Sequence, residues 1–451
     1  TLWLTSPCVK AGKLDCTHCH TSSGRYRFAG ERTNESCLPC HQSRVENATA
    51  HTRHPTGSAG NQCVSCHMPM TTFARMRRSD HSMRPPTPAT TLAYGSPNAC
   101  NLCHTDKDAR WADNRVRAWR SRDYQAPVLQ RASLIDAARK REWSRLDDLL
   151  AEIGDPASDP ILAVSLLRLL APCADPRKGP AIRQALSHPH PLLRSSAAAL
   201  LADEVSQQNF SALVTAARDD YRVVRIAAAT ALARYPQGLL DLPSARSVCE
   251  AAFRELEASH RCMPDSWASH YNLGNYFEVR GLTDRALASY AHATRLRPDM
   301  VPPLVNASMM HARRGDLRTS IALLRKAEAA DPRNPAVHLN LGMALAEQQD
   351  MSGAERHFRA ALAADPTLAQ AAFNLGVLLN RTAPTDEGVA LCRRAAELAP
   401  QHAGYAYTHA YYLMMRGYAD EAAKVLRDAL QRGVTSPEIT SLLGRLTRAQ
   451  P

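Results

Sequence analysis

The sequence predicts a mainly α-helical chain of two parts: a small N-terminal segment with little regular structure, rich in cysteine and histidine, and behind it a long α-solenoid. Three observations carry this. Nine of the 13 cysteines fall within the first 103 of 451 residues. From about Trp111 the composition turns to alanine, leucine and arginine at helical spacing. Small residues then recur at intervals of 31 and later 34 residues, as stacked repeats require. A content of 45% hydrophobic and 22% charged residues excludes a disordered chain, and no run approaches about eighteen uninterrupted apolar residues, so no transmembrane segment is expected.

Eight of the nine early cysteines stand in pairs, each followed at once by histidine: Cys16, Cys19, His20; Cys37, Cys40, His41; Cys63, Cys66, His67; Cys100, Cys103, His104. This spacing suits covalent attachment of haem c. Two thiols add across the vinyl groups of one porphyrin, and the adjacent imidazole becomes the proximal ligand of the iron. Zinc ribbons and disulfides leave the four histidines unexplained. Four covalently bound haem c groups are therefore expected.

Residues 1–104 hold eight histidines, the four proximal ones and His18, His51, His54 and His81. The second four match in number the distal ligands that bis-histidine iron needs. Met68, Met70, Met76 and Met83 compete, and a His/Met iron has a higher potential. With enough histidines, bis-His coordination is preferred throughout. It leaves no open iron, so the chain reads as an electron carrier without catalytic residues. His18 lies inside the first motif, where ring geometry keeps it from its own iron, and it serves only another haem of this chain or of a neighbouring subunit.

About 26 residues per haem cannot build an ordinary core, so the porphyrins would be the core and would lie near contact with one another. The formal net charge of +12 invites an anionic partner. Residues 1–123 carry 17 Lys+Arg against 9 Asp+Glu, and four haems bring about eight propionates that absorb much of this excess. No nucleic-acid partner is expected.

The stretch Cys63-Val-Ser-Cys66-His67-Met68-Pro69, then Asp80-His81-Ser82, then Pro97-Asn98-Ala99-Cys100-Asn101-Leu102-Cys103-His104 resembles the closing part of multihaem cytochromes of the cytochrome c-552/554 and ammonia-forming nitrite reductase type. The resemblance covers roughly residues 8–125, is closer to bacterial proteins that join such a segment to helical repeats, and implies that His81 is a distal ligand. The nitrite reductases use a catalytic CxxCK haem, and no CxxCK occurs here. Relatives with the repeats tend to carry further haem motifs upstream, and the chain starts at Thr1 without an initiator methionine. A processed or truncated N-terminus is expected. Cys8 receives no role, and Cys173, Cys249, Cys262 and Cys392 read as free thiols in helical, apolar surroundings.

Two copies at an interval of 31 follow: His190-Pro191-Leu192-Leu193-Arg194-Ser195-Ser196-Ala197-Ala198-Ala199-Leu200 and Tyr221-Arg222-Val223-Val224-Arg225-Ile226-Ala227-Ala228-Ala229-Thr230-Ala231. They look like HEAT repeats, with a weaker copy near Asp159–Ala171. Five 34-residue units then begin at Trp267, Val301, Pro335, Ala369 and Ala403. Their eighth, twentieth and twenty-seventh positions are small, and the thirty-second is Pro298, Pro332, Pro366 and Pro400 in the first four. This is the tetratricopeptide (TPR) pattern, closed by a helix over Pro437–Arg448. The ten histidines after residue 104 show no ligand clustering along the chain and read as surface residues.

The expected domains are 1–123 (tetrahaem cytochrome c), 124–262 (HEAT-like) and 263–451 (TPR with a capping helix). The expected function is outer-sphere electron transfer, with the solenoid binding a partner protein or organising assembly. Haem attachment to CxxCH places the protein outside the cytoplasm, where redox proteins or extracellular acceptors are its partners. A distal histidine borrowed from a neighbouring copy predicts a homopolymer, a conducting filament. The rival is a multihaem oxyanion reductase with one iron left open.

Overall fold

The computed structural model describes residues 6–448 apart from 13, 39, 74, 383 and 384. It is 69% helical and 2% strand, in an α-helical repeat arrangement, which agrees with the mainly α expectation. The chain divides into two compact units, 1–253 and 254–451.

The first unit opens with short helical turns. Those at Cys16–Cys19, Cys63–His67 and Cys100–Cys103 each start on the first cysteine of a motif. One turn brings residues i and i+3 to the same face, so both thiols of a motif point one way and the histidine follows. Each start is fixed by a side-chain oxygen that accepts orphan backbone N–H groups. Asp15 accepts from Thr17 and His18 at 2.8 and 3.1 Å. Asn34 accepts from the Cys63 amide at 2.8 Å, and Asn98 from Cys100 and Asn101 at 3.1 and 3.2 Å. The second motif differs: Cys37 ends the 3-10 helix Gly30–Cys37, and His41 precedes the helix Gln42–Glu46.

A two-stranded antiparallel hairpin, Met70–Phe73 against Met76–Ser79, follows the third motif. Among the described residues up to 104, the only apolar side chains that are fully buried are Pro88, Ala89 and Ala99. The polypeptide of this segment has no hydrophobic core of its own.

Gln125 joins the segment to the helices that follow. Its amide donates to Asp113 Oδ1 at 2.7 Å and accepts from the Ala89 amide at 3.0 Å, which satisfies three buried polar groups together. Beyond it, the helices Pro191–Leu200 and Arg222–Leu232 realise the 31-residue repeat, with Ala197, Ala198, Ala228 and Ala229 wholly buried. Small side chains let the two helices approach closely. The repeat extends to an arginine: Arg194 donates to the carbonyls of His188 and Pro189, and Arg225 to those of Asp219 and Asp220. Arg194 also pairs with Asp219 at 2.6 Å, locking one copy to the next.

The second unit contains five helix pairs, A and B: Trp267–Val279 with Thr283–Leu296, Val301–Arg313 with Leu317–Ala330, Pro335–Glu347 with Met351–Ala364, Ala369–Thr382 with Asp386–Leu398, and Ala403–Met415 with Ala419–Gln431. Every A helix starts where its sequence unit starts. The twenty-seventh-position alanines, Ala293, Ala327, Ala361, Ala395 and Ala429, are all at 0% exposure. At the eighth position Gly342 faces the Phe358 ring so closely that a Cβ would stand 2.5 Å from it. Successive repeats are also pinned by ion pairs, Arg313 to Glu278 at 2.6 Å and Arg359 to Glu387 at 2.6 Å. The helix Pro437–Arg448 buries Ile439, Leu442 and Leu446 against the fifth repeat.

Candidate haem centre

Three of the distal candidates face proximal histidines of distant motifs. His81 lies opposite His20 with ring centroids 6.3 Å apart and planes 27° apart. His51 faces His67 at 6.2 Å and 13°. His54 faces His104 at 5.9 Å and 40°. A metal between two imidazoles, with bonds of about 2 Å and about 1 Å from each nitrogen to its ring centre, sets centroids about 6 Å apart. The three pairs fit an axially ligated iron.

The outer nitrogens of three of these six rings agree. His20 Nδ1–H donates to the Gly24 carbonyl at 3.1 Å, His54 Nδ1–H to Thr52 at 2.7 Å and His81 Nδ1–H to Ser79 at 2.9 Å. A carbonyl only accepts, so each proton sits on Nδ1 and the Nε2 lone pair is left for a metal. Burial, with the Arg120 and Arg44 cations nearby, pushes the His51 imidazole down to about 4. Burial likewise lowers that of His67. Both rings are thus neutral, the form that ligates.

His18 is held the other way round. Its Nε2–H donates to the Ser36 carbonyl at 3.0 Å and its ring packs 6.1 Å from Phe28. Among the described residues no histidine ring pairs with His41. The second and third motifs are nevertheless brought together by Asn34, three residues before Cys37, which accepts from the Cys63 amide at 2.8 Å and donates to the Asn61 carbonyl at 3.0 Å. Of the methionines, Met70 and Met76 are exposed on the hairpin, and Met83 Sδ accepts from Ser6 Oγ at 3.4 Å.

Aromatic residues that the motif reading passes over line these pairs. Trp111 lies 4.8 Å from His104 and Trp119 meets His54 edge-on at 6.5 Å; Tyr26 lies 5.9 Å from His20. The signal in the sequence is the placement of both tryptophans on Ala109–Trp119, directly behind the last motif.

Two expectations need correction. Cys262 is exposed, unlike the buried Cys173, Cys249 and Cys392, because it caps the end of its helix with Sγ on the Ser259 carbonyl at 2.9 Å. The later histidines are not all surface residues. His188, His338, His357 and His409 are buried; the last three lie on repeat helices, and His188 precedes the helix Pro191–Leu200.

Comparison with known families decides the composition of the chain. Residues 50–145 match the cytochrome c552 family, and residues 250–301, 310–369 and 352–403 match the tetratricopeptide repeat. The chain joins a cytochrome c552 segment to tetratricopeptide repeats. The cytochrome c552 match takes in the third and fourth motifs and His51, His54 and His81; the first two motifs precede it. Covalent haem c is the cofactor that this family implies, and the repeats mark the chain for protein interaction. No helix of the described residues is long and apolar enough to cross a membrane.

No curated protein matches the chain. Among solved structures, MamA 41-end from Desulfovibrio magneticus RS-1 is 20% identical over 39% of this chain and 99% of its own, with a TM-score of 0.35. PilW, a type IV pilus biogenesis factor, is 19% identical over 49% and 98%, with a TM-score of 0.39. The APC/C hetero-tetramer Cut9-Hcn1 is 18% identical over 68% and 60%, with a TM-score of 0.38.

Proposed function

We propose that this chain is a tetrahaem c-type cytochrome that carries out outer-sphere electron transfer, with a helical-repeat part for partner binding or assembly. The observation that carries the reading is the set of three imidazole pairs at about 6 Å, each joining one motif to a distal histidine. Haem c, when bound, supplies an iron that takes up and releases one electron at a time. The residues do the rest. Eight cysteines, from Cys16 to Cys103, tether it, and His20, His41, His67 and His104 are its proximal ligands. His81 is the distal partner of His20, His51 of His67, and His54 of His104. Backbone carbonyls of Gly24, Thr52 and Ser79 fix ring orientation, so the ligand set changes little between charge states. The bond from the Cys63 amide to Asn34 ties the third motif to the segment that carries the second, and crowded motifs favour electron passage between neighbours.

The division of labour follows the domains 1–123, 124–262 and 263–451: the first conducts, the others recognise or organise. The location is extracytoplasmic, with redox proteins or extracellular acceptors as partners. Polymerisation is the further step. His41 lacks a distal histidine within the described chain, and His18 is the distal candidate left over. A ligand lent by a neighbouring copy makes a head-to-tail contact that grows without closing. Negative-stain images showing only discrete particles at high concentration would sink this part.

The same observation favours a second reading, a reductase whose open iron is the one on His41. Haem content with absorption and electron paramagnetic resonance spectra separates the two. About four haems per chain, all low-spin, support electron transfer. One high-spin, ligand-accessible haem that His41→Ala abolishes turns the reading to an enzyme, and fewer than four haems removes the tetrahaem assignment.

A further inference from the structure

The second unit holds a cluster that neither the haem segment nor the repeat pattern accounts for. Glu328 lies on helix B of the second repeat, His338 on helix A of the third and His357 on helix B of the third. The two imidazoles are buried and the carboxylate is partly so. The Nδ1 atoms of His338 and His357 are 3.2 Å apart, and Glu328 Oε1 stands 3.7 Å from each. A tetrahedral ion with bonds of about 2.0–2.1 Å has ligand–ligand edges of about 3.3 Å. The three atoms are therefore within a few tenths of an ångström of one face of that tetrahedron.

The tautomers show what occupies the face now. His338 Nε2–H donates to the Pro332 carbonyl at 2.9 Å, so its Nδ1 bears a lone pair, oriented by an outer partner as metal-binding histidines are. Arg325 Nη1 donates to His357 Nε2 at 3.1 Å, so His357 carries its proton on Nδ1 and donates it to His338. Arg325 also pairs with Glu328 at 2.8 Å. The present network thus places one proton between the ligand atoms, while the Arg325 guanidinium holds the outer atoms, His357 Nε2 and Glu328 Oε2, and with them the tautomer that blocks a cation. Arg325 is partly exposed and can swing into solvent, with the His357 proton moving to Nε2.

Repeat one supplies an internal contrast. His270 Nε2 donates to the Pro264 carbonyl at 2.9 Å and stacks on His292 with centroids 3.9 Å apart, the same anchoring of a fourth-position histidine. Among the described residues no carboxylate completes that pair as a ligand group. Among the described residues, only Glu328, His338 and His357 converge as three such ligands.

We propose that Glu328, His338 and His357 form a zinc-type divalent metal site, with water as fourth ligand and Arg325 as a displaceable competitor, which staples the second repeat to the third. His₂Glu sets favour zinc among common divalent ions and leave one position open. The test uses the haem-loaded full chain, stripped with chelator and titrated with zinc by calorimetry, with bound zinc measured by atomic emission after desalting. About one zinc per chain is expected, and it should be lost in the His338→Gln/His357→Gln variant while the far-ultraviolet dichroism is retained. Arg325→Gln should bind about tenfold or more tightly, because the competing cation is gone. The proposal is overturned if neither the native chain nor Arg325→Gln retains zinc, or if the double variant binds as much as the native chain. If the double variant misfolds, the Arg325→Gln gain decides alone, and equal affinity with the native chain refutes the site.

Discussion

Single atoms decide how the distal ligands are aimed. A Cβ at Gly60 would run into the His54 ring, and His54 is already held by its bond to Thr52 and by Asn61, whose amide donates to the His54 carbonyl at 3.1 Å. Gly60→Ala is expected to push His54 off its approach to His104 while leaving haem attachment intact. Unchanged haem content with a partial shift of one haem to high spin is the expected spectrum, and a spectrum identical to the native one would refute this aiming. His409 makes a different prediction. Burial, with Arg393 near it, pushes its imidazole down to about 4, against about 6.5 in an unfolded chain. The native state thus requires the neutral ring. The stability this contributes is complete above about pH 6.5 and is lost as the pH falls toward 4, by roughly 2 kcal/mol after allowance for solvent. Urea unfolding at a series of pH values should show this extra acid loss in the native chain and not in His409→Gln.

At the scale of the elements, the first, second, third and fifth repeats share one turn, with one exception in residue type. The turn between their helices A and B places the fifteenth residue in the left-handed region, with Gly281, Gly315 and Gly417 at φ of 71°, 79° and 83°. In the third repeat this residue is Gln349, at φ 69°. A side chain there costs about 1 kcal/mol, partly offset because glycine also loosens the unfolded chain. Gln349→Gly is expected to gain up to about 1 kcal/mol, read as a higher denaturation midpoint in guanidinium, whereas Gly315→Gln should lose a similar amount. The same turn explains why the B helices of the second and third repeats begin so sharply. Asp316 and Asp350 cap them by accepting from Thr319 and Gly353 at 3.1 and 2.8 Å.

At the scale of the molecule, the two parts of the chain draw their stability from different sources. The second unit buries alanine, leucine and phenylalanine in continuous clusters. Among the described residues, the first hundred bury almost no apolar side chain, so hydrophobic burial cannot fold them alone. Chain made without haem is therefore expected to lose residues before about 105 to limited proteolysis while the repeats survive. Protection of the N-terminal segment in the haem-free chain would refute the idea that the cofactors are its core.

What could be read from the sequence was written at short range. Four CxxCH motifs and a 34-residue period are local facts, and a helix converts them directly into facing thiols and buried alanines. The start of each A helix and the burial of all five twenty-seventh-position alanines follow from spacing alone. The histidine pairs do not. His20 and His81 meet because chain segments far apart in sequence fold back, as Asn34 also does on Cys63, in contacts that no spacing encodes. The same holds for Trp119 against His54 and for Glu328, His338 and His357, which are merely polar residues on three helices until the repeats stack. Covalent and helical periodicity fixed which groups the chain carries and on which elements. Only long-range packing, which sets distances between residues remote in sequence, decided which imidazoles face each other and which stand apart.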